Sequence, residues 1–126
     1  MMQKIFLPDV PPPAGHYSPA IISNGLVFLS GILPIDALTG QQFVGASFAE
    51  QVSVVFLNAD RLLAAAGSSL SQVVRVTIYV ADGDLWSAFN EQFRAIFGDH
   101  KPARTVVPVP SLHFGALLEV DIIAEI

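Results

Sequence analysis

Apolar and polar positions along this chain switch between two periods, and the switches mark out its elements. Residues 1–19 read as an edge segment followed by a loop, because Pro11, Pro12 and Pro13 cannot donate to a sheet ladder and favour an extended chain. The apolar runs Ala20-Ile21-Ile22-Ser23 and Leu26-Val27-Phe28-Leu29-Ser30 then flank Asn24-Gly25. Asn-Gly in that setting predicts a hairpin, since both turn residues tolerate positive φ. Pro34 and Thr39-Gly40 mark a long connection to the first helix.

That helix is announced by Ser47 and Glu50, the spacing of a capping box. Phe48, Val52, Val55, Phe56, Ala59, Leu62, Leu63 and Ala66 recur at helical spacing, and Gly67 suits the C-terminal cap. Residues 73–80 are rich in β-branched side chains and alternate, so a strand is predicted with Val74, Val76, Ile78 and Val80 on one face. Val73, Thr77 and Tyr79 fall on the other.

A second helix is expected to start at Asp82 or Asp84, with Leu85, Phe89, Phe93, Ile96 and Phe97 as its apolar stripe and Gly98 as its end. Two closing strands, about Thr105–Val109 and Leu117–Ile126, are joined by a loop over residues 110–115. The order β-β-α-β-α-β-β implies an α+β fold with a mixed sheet. Right-handed crossovers place both helices on one face and leave the other bare.

Composition sharpens this picture. A chain of 126 residues is the size of one domain, residues 1–126. At 52% apolar against 13% charged, with mean hydropathy +0.57, it holds more apolar surface than so small an interior absorbs. A homo-oligomer covering the bare sheet face is therefore expected. No run approaches the 18 to 20 or so apolar residues of a spanning helix. The opening residues lack the apolar stretch of a signal peptide, so a cytoplasmic protein without membrane contact is expected. Cysteine is absent, which removes thiolate chemistry and disulfides. With net charge −5 and six cations scattered along the sequence, no nucleic-acid partner is expected. In so negative a chain, an anionic ligand needs a local, well-placed cation.

The chemistry-bearing residues are few. There is no glycine-rich phosphate loop, and the three histidines show no paired ligand spacing, so no metal and no cofactor are expected. Pro102-Ala103-Arg104-Thr105 enters one strand, and Leu118-Glu119-Val120-Asp121 lies in the last. Arginine offers a planar fork that matches a carboxylate bidentately. Alternation turns Glu119 and Asp121 to one side of the sheet and Val120 to the other. From these residues alone, a surface arginine and two solvated acids is the reading that the usual exposure of charged side chains favours.

The same run, Pro-Ala-Arg-Thr followed after twelve intervening residues by Leu-Glu-Val-Asp, resembles the signature of the reactive intermediate deaminase (Rid, YjgF-like) family. The resemblance spans the chain: Gly15-His16-Tyr17-Ser18, Phe28 to Pro34, Thr39-Gly40, Ala65-Ala66-Gly67 and Phe89-Asn90 to Phe93 fall in register. It implies a chorismate-mutase-like fold, a homotrimer with clefts between subunits, and cofactor-free hydrolysis of 2-imino acids of the 2-iminobutanoate and 2-iminopropanoate type to 2-oxo acids and ammonia. On it, Arg104 clamps the substrate carboxylate and Asp121, in place of a glutamate, holds the attacking water. Tyr17 closes the cleft, Ser30 and Gly31 shape its wall, Asn90 supports it, and Thr105 and Val106 flank the arginine. Glu119 lies a two-residue step of ~6.5 Å from Asp121, and the water is assigned to Asp121.

Several positions depart from the family pattern: Asp121 for glutamate, Ile32 for glutamine, Val106 for cysteine, and His16 and His113 for prolines. His113 is read as a loop residue. The alternatives are a non-catalytic trimer that binds 2-oxo acids or other small carboxylates, or regulates a partner enzyme, and, further off, an endoribonuclease.

Overall fold

The structure, a computed structural model, describes residues 1–126. Its elements are β1 (Gln3–Ile5), β2 (Ala20–Ser23), β3 (Leu26–Ile32), α1 (Phe48–Ala65), β4 (Val73–Val80), α2 (Trp86–Phe97), β5 (Ala103–Pro108) and β6 (Leu118–Glu125). They build one six-stranded sheet in the order β1-β2-β3-β6-β4-β5. All neighbours are antiparallel except β4 and β5, which run parallel on either side of the α2 crossover.

Local chemistry accounts for most boundaries. The β2–β3 hairpin turns on Asn24 (φ 56°) and Gly25 (φ 79°), as Asn-Gly predicts. Ser47 caps α1, its Oγ accepting from the Glu50 N–H at 3.2 Å. At the other end Gly67 takes φ +80°, and the Ser68 N–H reaches back to the Leu63 carbonyl. That is a Schellman closure, which uses carbonyls the helix leaves free.

The core lies between the two helices and one face of the sheet. Val27, Leu29 and Ile32 of β3, Val76, Ile78 and Val80 of β4, and Leu118, Val120, Ile122 and Ala124 of β6 meet Val52, Val55, Phe56, Ala59 and Leu63 of α1. Phe89, Phe93 and Phe97 stack down α2, and the Phe56 ring stands edge-on to Phe93 and Phe97. Truncating one such buried ring to alanine costs about 3–5 kcal/mol.

Two expectations need correction. Val73, not Val74, faces the core: Val73 is buried and Val74 is 43% exposed. A register shift between Val73 and Arg75 against β6 inserts one residue, which reverses the alternation upstream of it. The second helix also starts later than its aspartates suggest. Asp82 accepts from the Asp84 N–H and caps a short 3₁₀ turn, Gly83–Leu85, and α2 begins at Trp86 with no side-chain cap.

Two buried amides on α1, absent from the sequence reading, fix the loops. Gln51 donates to the carbonyls of Val44 and Ala46, both at 3.0 Å, while its Oε1 accepts from the Leu117 N–H at 2.9 Å. Asn58 accepts from the Ala37 N–H and donates to the Ile35 carbonyl. Beside it Arg61 pairs with Asp36 at 3.0 Å. The N–H of Leu38, then that of Thr39, and Arg61 hold the Asp36 carboxyl below its ordinary value, against a partial offset from burial. The opposite face of the sheet carries Phe28, Val74, Thr77, Tyr79, Glu119, Asp121 and Ile123, and no element of the chain covers it. No helix is long and apolar enough to cross a membrane.

Candidate active site

Arg104 sits on β5, at the edge of the sheet, opposite Val76 in register. Val76 is buried under the helices, so Arg104 also projects to the helix side, where α2 meets it. Its Nη2 donates to the Asn90 Oδ1 at 3.0 Å. The guanidinium carbon lies 5.0 Å from the centre of the Phe93 ring and 5.8 Å from that of Trp86. Rings at that distance attract a cation and fix its plane. No carboxylate of the chain pairs with it. The guanidinium is thus half-buried, oriented and short of an anion.

The helix spacing explains this arrangement. Trp86, Asn90 and Phe93 stand at i, i+4 and i+7, so one face of α2 delivers two rings and an amide to one point. Around it open Arg94, His100 and Lys101, which with Arg104, Asn90, Phe93, Gly98 and Pro102 line a pocket. Three of the six Lys and Arg side chains, Arg94, Lys101 and Arg104, gather here, and in a chain of net charge −5 that concentrates positive potential beside the guanidinium. Val106 shares this side of β5 and packs against the core.

A second cluster forms on the bare face, at the C-terminal end of β3. Tyr17, Ser30, Gly31, His113, Glu119 and Asp121 line one cleft. The Ser30 Oγ donates to the Ser18 carbonyl at 2.6 Å and its N–H to the Pro19 carbonyl at 3.0 Å, which fastens the loop carrying Tyr17. Gly31 is needed for approach: a β-carbon there would stand 2.5 Å from the Glu119 Oε2. Beyond the same wall lies an apolar cavity of about 310 Å³, between the proline-rich loop, Leu33, Ile35 and Leu62.

The two acids differ. Asp121 meets the Tyr79 hydroxyl at 3.3 Å, and its charge, followed by burial, raises the tyrosine above its ordinary value. Glu119 is the acid against Ser30 and Gly31. Burial pushes its carboxyl up, the His113 imidazolium draws it partly down, and Asp121 adds to the rise.

The residues singled out in sequence therefore fall into two groups. Arg104, Asn90 and Val106 lie together on the helix side, while Tyr17, Ser30, Gly31 and Asp121 lie together on the bare face. Thr105 belongs with neither: it points to the bare face and accepts from the Arg75 Nη2. Strand alternation in register decides this, since Arg104 pairs with Val76 and Glu119 with Tyr79, on opposite faces. Glu119 and His113, set aside in the sequence reading, line the acid cleft, and Trp86 and Phe93 flank the guanidinium; the helical spacing of the two rings around Asn90 was visible in sequence.

The family described as Endoribonuclease L-PSP matches residues 8–126. The chain belongs to that family. Its Rid branch is close by: a Reactive Intermediate Deaminase A of Arabidopsis thaliana is 38% identical over 116 residues, covering 92% of this chain and 62% of the plant protein. A RutC family protein of Pyrococcus horikoshii is 38% identical over 124 residues, 98% of each chain. Among solved structures, a conserved Rid family protein of Yersinia pestis superposes with TM-score 0.92 at 32% identity over the full length of both. The L-PSP/Rid fold, two helices on one face of a six-stranded mixed sheet, is thus the fold of this chain.

Proposed function

We propose that this Rid-family protein hydrolyses small 2-imino acids, in their imine or enamine forms, to 2-oxo acids and ammonia, without metal or organic cofactor. One observation carries the reading: Arg104 is held in place by Asn90 and two rings, in a cationic pocket, with no carboxylate of its own. Such a fork is preorganised for a substrate carboxylate. In support, the Arabidopsis relative bears the name of a reactive intermediate deaminase.

In this reading the guanidinium fixes the carboxylate and hence the plane of the C=N bond. A carboxylate beside Ser30 and Gly31 takes a proton from water as the water oxygen bonds to the imine carbon. Glu119 suits that task better than Asp121. It stands against Gly31, and burial raises its affinity for a proton. Asp121 keeps a supporting part through Tyr79. Because Arg104 and Glu119 project from opposite faces of one sheet, a complete site requires Arg104 of one copy to meet the acid cleft of the next. A homotrimer closed through the bare faces meets that need.

The test generates an imino acid in situ with an amino-acid oxidase and follows 2-oxo acid and ammonia release against the spontaneous rate. Wild type should accelerate release, and Arg104→Ala should fall to background. Equal rates for the two proteins would end the proposal. Arg104 alone also favours a second reading, a trimer that only captures 2-oxo acids. Calorimetry with 2-oxobutyrate distinguishes it, since binding without any turnover supports capture.

A further inference from the structure

The turn between β5 and β6 holds a group that the reaction above does not use. His113 opens a 3₁₀ turn, His113–Gly115, in which Phe114 (φ 61°) and Gly115 (φ 77°) are both left-handed. For a residue with a β-carbon that conformation is strained. Burial of Phe114 does not offset it, because that ring is 61% exposed. The turn is nevertheless tied down. The Gly115 N–H donates to the Leu112 carbonyl, the Ala116 N–H to the His113 carbonyl, and the Leu117 N–H to the buried Gln51. Strain kept in place by its surroundings clusters at working sites.

Its effect is to fix the imidazole at the mouth of the cleft that holds Glu119. His113 is exposed, Glu119 is partly buried, and both line this one cleft. The groups facing Glu119 are Asp121 on its own strand, Tyr79 across on β4, Tyr17 from the loop and His113 from the turn. Arg75 also lies on this face but is turned to Thr105. Of these neighbours, only the imidazole both accepts and releases a proton readily near neutrality.

We propose that His113 and Glu119 form one proton-transfer pair, in which His113 carries to solvent the proton that each turnover leaves on Glu119. The inference rests on the deaminase reading for its chemistry. A protonated imine and water together bring four hydrogens to nitrogen and oxygen. As the C–O bond forms, the π pair moves to nitrogen and Glu119 takes one water proton. It returns that proton to nitrogen, the C–N bond breaks, and the hydroxyl proton passes to Glu119 as C=O forms. Ammonia departs with three hydrogens, so the fourth remains on the carboxyl. Burial raises the affinity of Glu119 for that proton, which makes a nearby acceptor useful.

His113→Gln and His113→Ala test this, with circular dichroism and oligomer size as controls on folding. Expected for both is a fall in kcat of at least ~10-fold, within the range of general acid–base effects, with KM little changed. Free imidazole should restore much of the loss in His113→Ala. In His113→Gln the Glu119 carboxyl, followed by carbon-detected NMR, should titrate at higher pH than in wild type, because a neighbouring positive charge is gone. Unchanged kcat, or loss without imidazole rescue, overturns the relay. A Glu119 titration that does not move overturns the pairing, whether or not imines turn over. Wild type without turnover sinks the deaminase reading and the relay with it, and the titration still decides the pairing.

Discussion

At the scale of single residues, the two acids of β6 separate by their surroundings. Glu119 faces Gly31 with a raised pKa, and Asp121 faces Tyr79. If Glu119 accepts the water proton, Glu119→Gln should lower kcat by about 10²-fold or more, and Asp121→Asn by clearly less. The pH dependence has a definite sign. Only the carboxylate accepts a proton, so kcat/KM should rise as pH climbs through the raised Glu119 value, above the ordinary glutamate value of about 4.3. Linkage runs the other way. A folded pKa above the unfolded one gives stability that is full below the unfolded value and lost as pH rises through the folded value. Activity thus grows in the window where the fold loses stability, and Glu119→Gln should remove both effects. A pH profile and a Tm series on the same two proteins check this; equal kcat losses in both variants would count against Glu119.

Arg104 stood out by its residue type and its place at a strand start, whereas Asn90 entered only through the family resemblance. The same resemblance assigned the water to Asp121 and set Glu119 aside. Both lie on one strand face, and what distinguishes them is a glycine eighty-eight positions earlier and a turn whose backbone is strained.

At the scale of elements, legibility followed local cause. The Asn24-Gly25 hairpin, the Ser47 cap and the Gly67 closure depend on neighbours in sequence, and the structure has all three. The exchange of Val73 and Val74 was not legible, because the inserted residue depends on pairing with β6, some fifty residues away. Gln51 and Asn58 were invisible for a related reason: they are buried among the apolar positions of α1, and their partners are loop backbone groups, from Val44 and Ala46 close by to Leu117 sixty-six residues on, that helical spacing does not reveal. Gln51→Leu tests this role. It would leave the Leu117 N–H and two carbonyls without partners, each buried orphan costing about 1–3 kcal/mol. Stability should fall by about 3 kcal/mol or more, read by urea unfolding, and the His113 turn should lose order because Leu117 anchors its end. A loss under ~0.5 kcal/mol, typical of surface changes, would mean that water replaces the amide.

At the scale of the whole molecule, Arg104 and Glu119 project from opposite faces of one sheet, so the proposed site needs two copies of the chain. The cationic pocket opens beside edge strand β5 on the helix side, and the acid cleft opens on the bare face beside β3. Two different patches of one protomer, each incomplete, are what a head-to-tail contact requires, and such a contact closes into a ring when its rotation allows. Phe28 and Val74, both more than two-fifths exposed on the bare face, supply apolar surface for it. Complementation decides the matter. Arg104→Ala and Glu119→Gln should each be inactive alone. Unfolded together and refolded as a mixture, they should regain activity, since random pairing in a ring restores about a quarter of the shared sites. Sites confined to one chain would regain nothing, because every copy in the mixture lacks one of the two groups. A mixture as inactive as its components, with mixed rings demonstrated by mass, would therefore reject the shared site while leaving the fold and the family untouched.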